Sequence, residues 1–358
     1  MTPSGQTLLV TGAAGFIGSN LVRHLLTEES DVRLVALDAL TYSGSLTTLH
    51  DLLDDPRLTF IHGDIRDREV VRTLFAEYRP TGVIHLAAES HVDRSIVDPL
   101  AFVETNVVGT VVLLQEATAA WSRSHGRFHH VSTDEVFGEL GSTGKFDEET
   151  PYAPKSPYSA SKAASDHFVR AWGNSYGLDY VITNCTNNYG PYQFPEKLIP
   201  IAIVKALAGE PVPIYGRGGN IRDWVYVEDH CRALVLAFRN GTSRSTYGIG
   251  GESESTNLDL VHQVLETLDA ETGNPAGTSA GLIEFVDDRP GHDFRYAMDI
   301  GRMRGDLGWS PTTGLTEGLR TTVRWYLDNL DWLKAVESEN HRSFQDQWYG
   351  GRRVNEEI

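Results

Sequence analysis

Short apolar runs alternate with longer amphipathic stretches through the first half of the chain. The apolar runs are rich in β-branched residues and predict six strands, at Leu8–Thr11, Val32–Asp38, Leu58–His62, Val83–Ala87, Phe128–Ser132 and Tyr180–Asn184. The stretches between them predict helices, most clearly at Phe16–Thr27, Arg68–Tyr78, Pro99–Trp121 and Pro157–Tyr176. Strands that alternate with helices pair in parallel, so this half predicts an α/β fold with a doubly wound parallel sheet.

The pattern changes after about Asn187, where Pro and Gly cluster and the apolar runs become short and irregular. Helices are predicted again at Ile199–Ala208, Val227–Phe238, Leu258–Leu268 and Leu315–Leu330. We expect residues 1–186, together with roughly 223–250, to form the sheet domain. Residues 187–222 and roughly 251–334 are expected to form a smaller α+β lobe that binds the substrate. Residues 335–358 show no interpretable pattern and are treated as a C-terminal tail.

Composition and charge narrow the class of protein. The chain has 358 residues, of which 40% are hydrophobic and 22% charged, and its formal net charge is −18. This composition excludes a disordered or fibrous chain. The negative charge argues against nucleic acid as a partner, and with no apolar run of spanning length we expect no membrane partner. Two cysteines, Cys185 and Cys231, and no leader-like segment lead us to expect a cytoplasmic protein.

A glycine-rich turn follows the first predicted strand. Gly12, Gly15 and Gly18 stand between that strand and the first helix, a context typical of a backbone that closely approaches a pyrophosphate. Asp38 ends the second strand, where an acid accepts hydrogen bonds from an adenosine ribose. A carboxylate there favours NAD over NADP, so we expect a Rossmann domain that binds NAD. Asp64 and Ile65 follow the third strand and are placed to reach the adenine.

Tyr158 and Lys162 lie four residues apart at the start of a predicted helix. That spacing puts both side chains on one helical face, where the ammonium group can lower the pKa of the phenol. Ser132–Thr133, at the end of the fifth predicted strand, supplies the hydroxyl expected in a Ser/Thr–Tyr–Lys reductase triad. These residues predict proton and hydride transfer at a carbinol.

Longer runs carry a resemblance to a known family. They are LAAESHVDRSI (86–96), STDEVFGEL (132–140), YSASKAASDH (158–167), NNYGPYQFPEKLIP (187–200), RDWVYVEDH (222–230) and RPGHDFRY (289–296). Together with the glycine turn, the chain resembles the extended short-chain dehydrogenase/reductase family, and within it the dTDP-glucose 4,6-dehydratases. The resemblance covers residues 7 to about 330. It implies that dTDP-glucose is dehydrated to dTDP-4-keto-6-deoxyglucose.

Asp134 and Glu135, directly after Thr133, favour dehydration among the reactions of this family. Neighbouring residues on a strand point to opposite faces, so the two carboxyl groups are not expected to share a proton. The resemblance and the chemistry together imply that Tyr158 removes the C4 hydroxyl proton and that Glu135 removes the proton from C5. Asp134, held protonated, is expected to protonate the departing C6 oxygen.

The resemblance also implies binding residues and an assembly. The cofactor-binding set is expected to be Gly12, Gly15, Phe16, Ile17, Gly18, Asp38, Leu40, Thr41, Asp64, Ile65, Leu86, Ala87, Ala88, Ser90, Thr105, Tyr158, Lys162 and Asn188. The substrate-binding set is expected to be Ser90, Thr133, Asn187, Lys197, Leu198, Pro213, Ile214, Tyr215, Arg222, Asn257, Arg289 and His292. A homodimer through helices Pro99–Trp121 and Pro157–Tyr176 is implied as well.

Other functions remain open at this level. A nucleotide-sugar 4-epimerase or decarboxylase of the same family would share the cofactor, Tyr158 and Lys162 without needing the acid pair. A redox-sensing dinucleotide-binding module usually lacks the tyrosine or the lysine, and this chain retains both. We expect no metal, because His91 and His292 do not stand in a ligand spacing.

Overall fold

The computed structural model describes residues 6–336, and its centre is a parallel sheet of seven strands. In chain order the strands of residues 6–336 are β1 (Thr7–Thr11), β2 (Arg33–Asp38), β3 (Leu58–His62), β4 (Gly82–His85), β5 (Arg127–Thr133), β6 (Asp179–Cys185), β7 (Asn187–Tyr189), β8 (Val212–Tyr215), β9 (Ile221–Tyr226), β10 (Ser245–Ile249), β11 (Glu254–Thr256) and β12 (Ile283–Val286). The large sheet has the order β10-β6-β5-β4-β1-β2-β3. The chain therefore reverses its direction of growth between β1 and β4, and such a switch point is where open α/β sheets bind ligands.

In the described part of the chain, twelve α-helices surround and extend this sheet. They are α1 (Phe16–Glu28), α2 (Arg68–Tyr78), α3 (Val92–Val97), α4 (Pro99–Phe102), α5 (Thr110–Ala120), α6 (Pro157–Tyr176), α7 (Leu198–Leu207), α8 (Val227–Asn240), α9 (Asn257–Thr272), α10 (Gly301–Leu307), α11 (Leu315–Asp328) and α12 (Leu330–Val336). Single turns of 3₁₀-helix lie at Leu46–Leu52, Asp134–Phe137 and Ser279–Leu282. A π-helical segment, Val103–Gly109, joins α4 to α5.

Each face of the large sheet has its own core, because successive residues of a buried strand point to opposite sides. On β1, Leu8 and Val10 pack on the side covered by α1 and α8. Leu9 packs on the other side, beneath α2, α5 and α6. This arrangement is the doubly wound Rossmann domain that the alternating pattern predicts.

A smaller α+β lobe follows β6. Its three-stranded sheet has the order β11-β9-β7, and β8 pairs in parallel with β12. Helices α7, α9, α11 and α12 enclose these strands around a third core that includes Tyr189, Ile203 and Leu265. The segment between the lobes is shared, since β9 lies in the small sheet while β10 forms an edge of the large one.

One predicted helix differs from the structure, and the predicted tail lies largely outside the described residues. The predicted helix Pro99–Trp121 is not a regular α-helix, because its middle adopts the π-helical segment. Within residues 6–336 this helix, Pro99–Ala120, is also the one that is long and apolar enough to cross a membrane by length and composition alone, contrary to our expectation that no run reaches that length. Core helices of soluble proteins pass the same test, and this one packs against α2 and α6. The predicted C-terminal tail lies outside the described residues apart from 335–336, which end α12.

Candidate functional site

One cavity of about 630 Å³ opens at the carboxyl ends of β1 and β4 and extends to the smaller lobe. It is lined by every residue predicted for cofactor, substrate or catalysis except Leu40. From the large domain these are Gly12, Gly15, Phe16, Ile17, Gly18, Asp38, Thr41, Asp64, Ile65, Leu86, Ala87, Ala88, Ser90, Thr105, Thr133, Asp134, Glu135, Tyr158 and Lys162. From the smaller lobe and its borders they are Asn187, Asn188, Lys197, Leu198, Pro213, Ile214, Tyr215, Arg222, Asn257, Arg289 and His292.

The glycine turn after β1 has no room for side chains at Gly12 and Gly18, so its backbone is open to the close approach of a pyrophosphate. Gly12 has φ +68°, and a Cβ there would lie 2.7 Å from the backbone nitrogen of Ala87. A Cβ on Gly18 would lie 2.0 Å from the Gly12 carbonyl oxygen. Helix α1 starts at Phe16 with no side chain capping its first turn, so its N–H groups remain available to an anion. These features fit the diphosphate of a dinucleotide.

Asp38 is buried at the end of β2, where its carboxylate is held by the backbone. Its two oxygens accept hydrogen bonds from the N–H groups of Ala14, at 2.9 Å, and Leu40, at 2.8 Å. Burial raises the pKa of Asp38, and these backbone bonds oppose the rise. Leu40 is not among the residues that line the cavity; its backbone has a left-handed φ of 51° and donates to Asp38. Its role as a cofactor contact stays a prediction.

The helix that carries Tyr158 and Lys162 begins with a capping box. Ser156 Oγ accepts a hydrogen bond from Ser159 N, Ser156 N donates one to Ser159 Oγ, and Pro157 occupies the first turn. Lys162 Nζ donates a 2.8 Å hydrogen bond to the carbonyl of Val131, on the neighbouring strand β5. The start of α6 is thereby fixed against the end of β5.

The pKa of Tyr158 is shifted upward, whereas the sequence predicted that Lys162 would lower it. Burial, and then the nearby carboxylate of Glu135, raise it well above its ordinary value in the protein alone. The ammonium of Lys162 is itself buried, and burial lowers the pKa of that group. A cationic nicotinamide ring in the same cavity would add the positive charge that a phenolate needs.

Asp134 and Glu135 occupy the first positions of the 3₁₀ turn that follows β5, so they are not strand neighbours as the sequence suggested. Asp134 is 2% exposed, and its Oδ1 accepts a 3.3 Å hydrogen bond from Thr133 Oγ1. Its buried Oδ2 has no hydrogen-bond partner among the described residues. Burial and the charge of Glu135 raise the pKa of Asp134 well above its usual value. Burial also raises the pKa of Glu135, while Arg289 and Arg222 oppose that rise.

Three cations from different elements face the same end of the cavity. Lys197 Nζ donates to the carbonyl of Ser90 at 3.0 Å. Arg222 is buried and donates to three main-chain carbonyls instead of a carboxylate, among them Asp293 O at 2.9 Å. Arg289 Nη1 lies 3.1 Å from Asp93 Oδ1. Part of this positive charge is therefore not neutralised by protein acids, which suits an anionic ligand.

Several lining residues were missed by the sequence analysis. Asp93 accepts from Tyr215 OH at 2.7 Å as well as from Arg289, so it holds two predicted substrate contacts together. Glu196 is buried beside Tyr42, and burial raises its pKa to about 7. Both acids stand inside the motif runs 86–96 and 187–200, and that position was the available signal. His292 has its pKa lowered to about 4, first by burial and then by the nearby arginines, so it is neutral at neutral pH.

Comparisons with known proteins find nucleotide-sugar dehydratases at the higher identities and a 4-epimerase at a lower one. A family model described as GDP-mannose 4,6 dehydratase matches residues 9–322. The dTDP-glucose 4,6-dehydratase of Salmonella typhimurium is 50% identical over 96% of this chain and 99% of its own length. The dTDP-glucose 4,6-dehydratase DesIV of Streptomyces venezuelae, solved with NAD bound, superimposes with a TM-score of 0.86 at 45% identity, over 93% of this chain and 100% of that one. The UDP-glucose 4-epimerase of Thermus thermophilus, also with NAD, gives 0.81 at 32% identity over 90% and 100%.

Proposed function

The chain belongs to the GDP-mannose 4,6 dehydratase family, and from that premise we propose that it dehydrates dTDP-glucose to dTDP-4-keto-6-deoxyglucose. The observation that carries the proposal is the acid pair Asp134–Glu135, which lines the same cavity as Tyr158 and Lys162. Oxidation alone needs only the tyrosine and lysine. Elimination of water needs a base for one atom and an acid for the next, and this pair supplies both.

The residues present fit NAD as the resident cofactor. The glycine turn would accommodate the pyrophosphate, and the buried Asp38 would accept hydrogen bonds from the adenosine ribose. The Asp38 carboxylate would repel the 2′-phosphate of NADP. When bound, NAD supplies the hydride acceptor for C4 and the hydride donor for C6. Tyr158 and Lys162 would then face the C4 hydroxyl of the sugar and transfer its proton.

Each acid–base group has one task in this proposal. Tyr158, as a phenolate that Lys162 and the cationic nicotinamide ring would stabilise, takes the proton of the C4 hydroxyl. The ketone at C4 makes the C5 hydrogen acidic, and Glu135 removes it; a solvent-derived proton replaces it at C5 when hydride is returned to C6. Asp134 stays protonated because it is buried beside Glu135, and it donates to the C6 oxygen as water departs. Oxidation has to come first, since a simple alcohol has no acidic neighbouring C–H.

The cationic end of the cavity is assigned to the nucleoside diphosphate. Lys197, Arg222 and Arg289 would contact its phosphate oxygens, with Asn187 and Asn257 beside them. Pro213, Ile214 and Tyr215 on β8 would lie near the base, and Leu198 and His292 beside them. Ser90 and Thr133 would approach the sugar.

A 4-epimerase shares the fold and the cofactor, but the acid pair does not favour it. Epimerisation returns the hydride to C4 and leaves the C6 hydroxyl in place, so it gives Asp134 nothing to protonate. A buried carboxyl group with a raised pKa and a vacant oxygen is costly to maintain without a task.

The test is a reaction with dTDP-glucose in deuterated water. The proposal expects a 4-keto-6-deoxy product with deuterium at C5, and formation of the galactose epimer would refute it. A Glu135→Gln variant should oxidise the sugar and then stall, with NADH absorbance on the protein. Normal turnover by that variant would show that Glu135 is not the base.

We also propose a cytoplasmic homodimer with two functional parts. Large apolar side chains are exposed on the helices Pro99–Ala120 and α6, namely Leu100, Val103, Val108, Phe168 and Tyr176. A second copy that packs the same helices against them would bury this surface in a four-helix arrangement. Within each copy, residues 1–186 with roughly 223–250 would bind NAD, and 187–222 with roughly 251–334 would bind the nucleotide sugar.

A further inference from the structure

A polar stripe runs along the buried face of α6 from the catalytic centre into the protein. Tyr158, Lys162, Asp166 and Arg170 are spaced by four residues, so successive members lie one above the other on the same helical face. The proposed chemistry uses the first two. Asp166 is 0% exposed and does not line the cavity, so it contacts neither substrate nor cofactor.

Asp166 is surrounded by hydrogen-bond donors from three other elements. Its Oδ2 accepts from Tyr152 OH at 2.7 Å, Ser132 Oγ at 2.9 Å and Asn184 Nδ2 at 3.4 Å. Its Oδ1 lies 3.1 Å from His130 Nε2. Asn184 Nδ2 also donates to the carbonyl of Thr133 at 3.0 Å. The carboxylate of Asp166 therefore ties α6 to the end of β5 that carries the catalytic hydroxyl.

Asp166 is an anion beside a buried cation. Burial raises its pKa, but the His130 ring 3.1 Å away and the charge of Lys162 outweigh burial and hold the pKa below its ordinary value. His130 has its pKa lowered to about 4, by burial and by Lys162, so it is a neutral donor at neutral pH. Burial lowers the pKa of Lys162, and Asp166 opposes that change. A buried ammonium is retained when a buried partner balances it.

We propose that Asp166 is a positioning residue that acts through Lys162. It balances the charge of the ammonium group, which is carried one helical turn away, and ties α6 to the strand end that carries Thr133, so that Lys162 can stabilise the phenolate of Tyr158. The proposal rests on the proposed function, because it concerns the step in which Tyr158 takes the C4 hydroxyl proton.

Other titratable groups around Lys162 do not replace Asp166. His85 on β4 is neutral because burial lowers its pKa well below normal, and Cys185 on β6 is a thiol because burial raises its pKa to about 12. Asp134 and Glu135, in the turn after β5, raise the pKa of Tyr158. Acids on the neighbouring helices have other partners: Asp93 pairs with Arg289, Glu104 with Arg66 and Glu116 with Arg68.

Asp166→Asn tests the proposal because it removes the charge and can keep the hydrogen bonds. The amide oxygen can accept from the donors now at Oδ2, and the amide NH₂ can donate to His130 Nε2 in its other tautomer. Without the anion the pKa of Lys162 falls, and the ammonium is lost at lower pH. NADH formation from dTDP-glucose should slow, and the alkaline limb of its rate should move down by about one pH unit or more. The KM for dTDP-glucose should not change.

Tyr152→Phe is the matched control. It removes one donor to Asp166 and leaves the carboxylate charged, so its alkaline limb should coincide with that of the unchanged protein. A folded Asp166→Asn protein with the alkaline limb in its original position would overturn the proposal. Should Asp166→Asn not fold, Asp166→Glu decides, because it keeps the charge: the limb should stay in place, and a shifted limb would overturn the proposal. Absence of NADH with the unchanged protein would instead refute the proposed function.

Discussion

At the scale of single residues, the neutral form of Asp134 links activity to stability. Folding raises the pKa of this carboxyl group by burial, so above the ordinary pKa of Asp the unfolded chain releases a proton that the folded chain retains. Stability therefore decreases as pH rises through that interval. Asp134→Asn removes this cost along with the acidic proton. We expect dehydration to slow by about 10²- to 10⁴-fold, while the midpoint of thermal unfolding at neutral pH does not fall.

The control for that variant is Asp54→Asn, which changes an exposed carboxyl group outside the cavity. It should leave both rate and unfolding midpoint unchanged. An Asp134→Asn protein that dehydrates at the normal rate would show that another group protonates the C6 oxygen.

The pH profile of dehydration should be bell-shaped, with both limbs set by the acid pair. Glu135 acts as a base, so activity falls as pH drops through its pKa, which burial raises above that of a free glutamate. Asp134 acts as an acid, so activity falls as pH rises through its own raised pKa. The rate of the elimination step, measured against pH with NADH already formed, checks this. In Asp134→Asn the alkaline limb should be absent.

Residue types and motif spacing predicted most of the residues that line the cavity, but not their electrostatic state. Tyr158 and Lys162 could be paired by their spacing of four. The pKa of Tyr158 could not be inferred from that pair, because burial and Glu135 come from the folded surroundings. Glu196 was missed for a similar reason, since an acid within a long motif gives no sign that it is buried until the strands and helices around it are placed.

At the scale of elements, the π-helical segment Val103–Gly109 positions the side chain of Asn106, which hydrogen-bonds to the backbone of Glu89 and to the side chain of Ser161. Its buried Asn106 accepts a hydrogen bond from Glu89 N at 2.8 Å and donates to Glu89 O at 2.9 Å. The same amide donates to Ser161 Oγ on α6 at 2.8 Å. This links the loop after β4, which lines the cofactor end of the cavity, to the catalytic helix. Such wider turns often occur at functional positions in helices.

Asn106→Ala should therefore weaken both the fold and cofactor retention. It leaves the N–H and carbonyl of Glu89 without their partners, and we expect a loss of about 2–3 kcal/mol in the free energy of unfolding. The fraction of NAD that copurifies should fall as well. Denaturant unfolding and the absorbance of released cofactor measure the two effects. Asn174→Ala, at an exposed position of α6, is the control and should change neither.

Strand and helix positions followed well from the periodicity, and the exceptions have local causes. Helix Arg68–Tyr78 matches its prediction to the residue, because Asp67 caps its start and Arg79 ends it in a left-handed conformation. The π-helical segment was not predicted, because apolar residues are so closely spaced in VETNVVGTVVLL that a change of helical period there leaves no visible break in the pattern. The residues Asp134–Phe137 follow β5 without a glycine or proline to mark its end. Only the structure therefore shows that the two acids lie in a turn and not on the strand.

At the scale of the whole molecule, the exposed apolar face of Pro99–Ala120 and α6 predicts self-association. Leu100 is 70% exposed there, and Leu100→Asp would place a charge on the face that the proposed second copy would cover. The variant should shift from dimer to monomer in light scattering behind size exclusion. Phe285→Asp, at a 44% exposed position on β12 in the smaller lobe, is the matched control and should remain dimeric. A dimeric Leu100→Asp protein would contradict this interface.

The arrangement of the whole chain was partly accessible from sequence. Alternating strands and helices predicted the parallel sheet, and roughly 223–250 was expected to belong to the sheet domain as well. Within that range β10 does join an edge of the large sheet, but β9 lies in the small sheet, which the pattern did not specify. The net charge of −18 argues against polyanionic partners, yet Lys162, Lys197, Arg222 and Arg289 all line the cavity. An average charge carries no information on where scarce cations are placed, and only the motifs located them.

The measurement that tests the central claim most directly follows the hydrogen at C4. The protein is incubated with dTDP-glucose carrying deuterium at C4, and the product is examined by NMR and mass spectrometry. Dehydration through Tyr158, Glu135 and Asp134 predicts a 4-keto-6-deoxy product in which that deuterium has moved to C6. Recovery of the deuterium at C4 of an epimerised hexose would contradict the account.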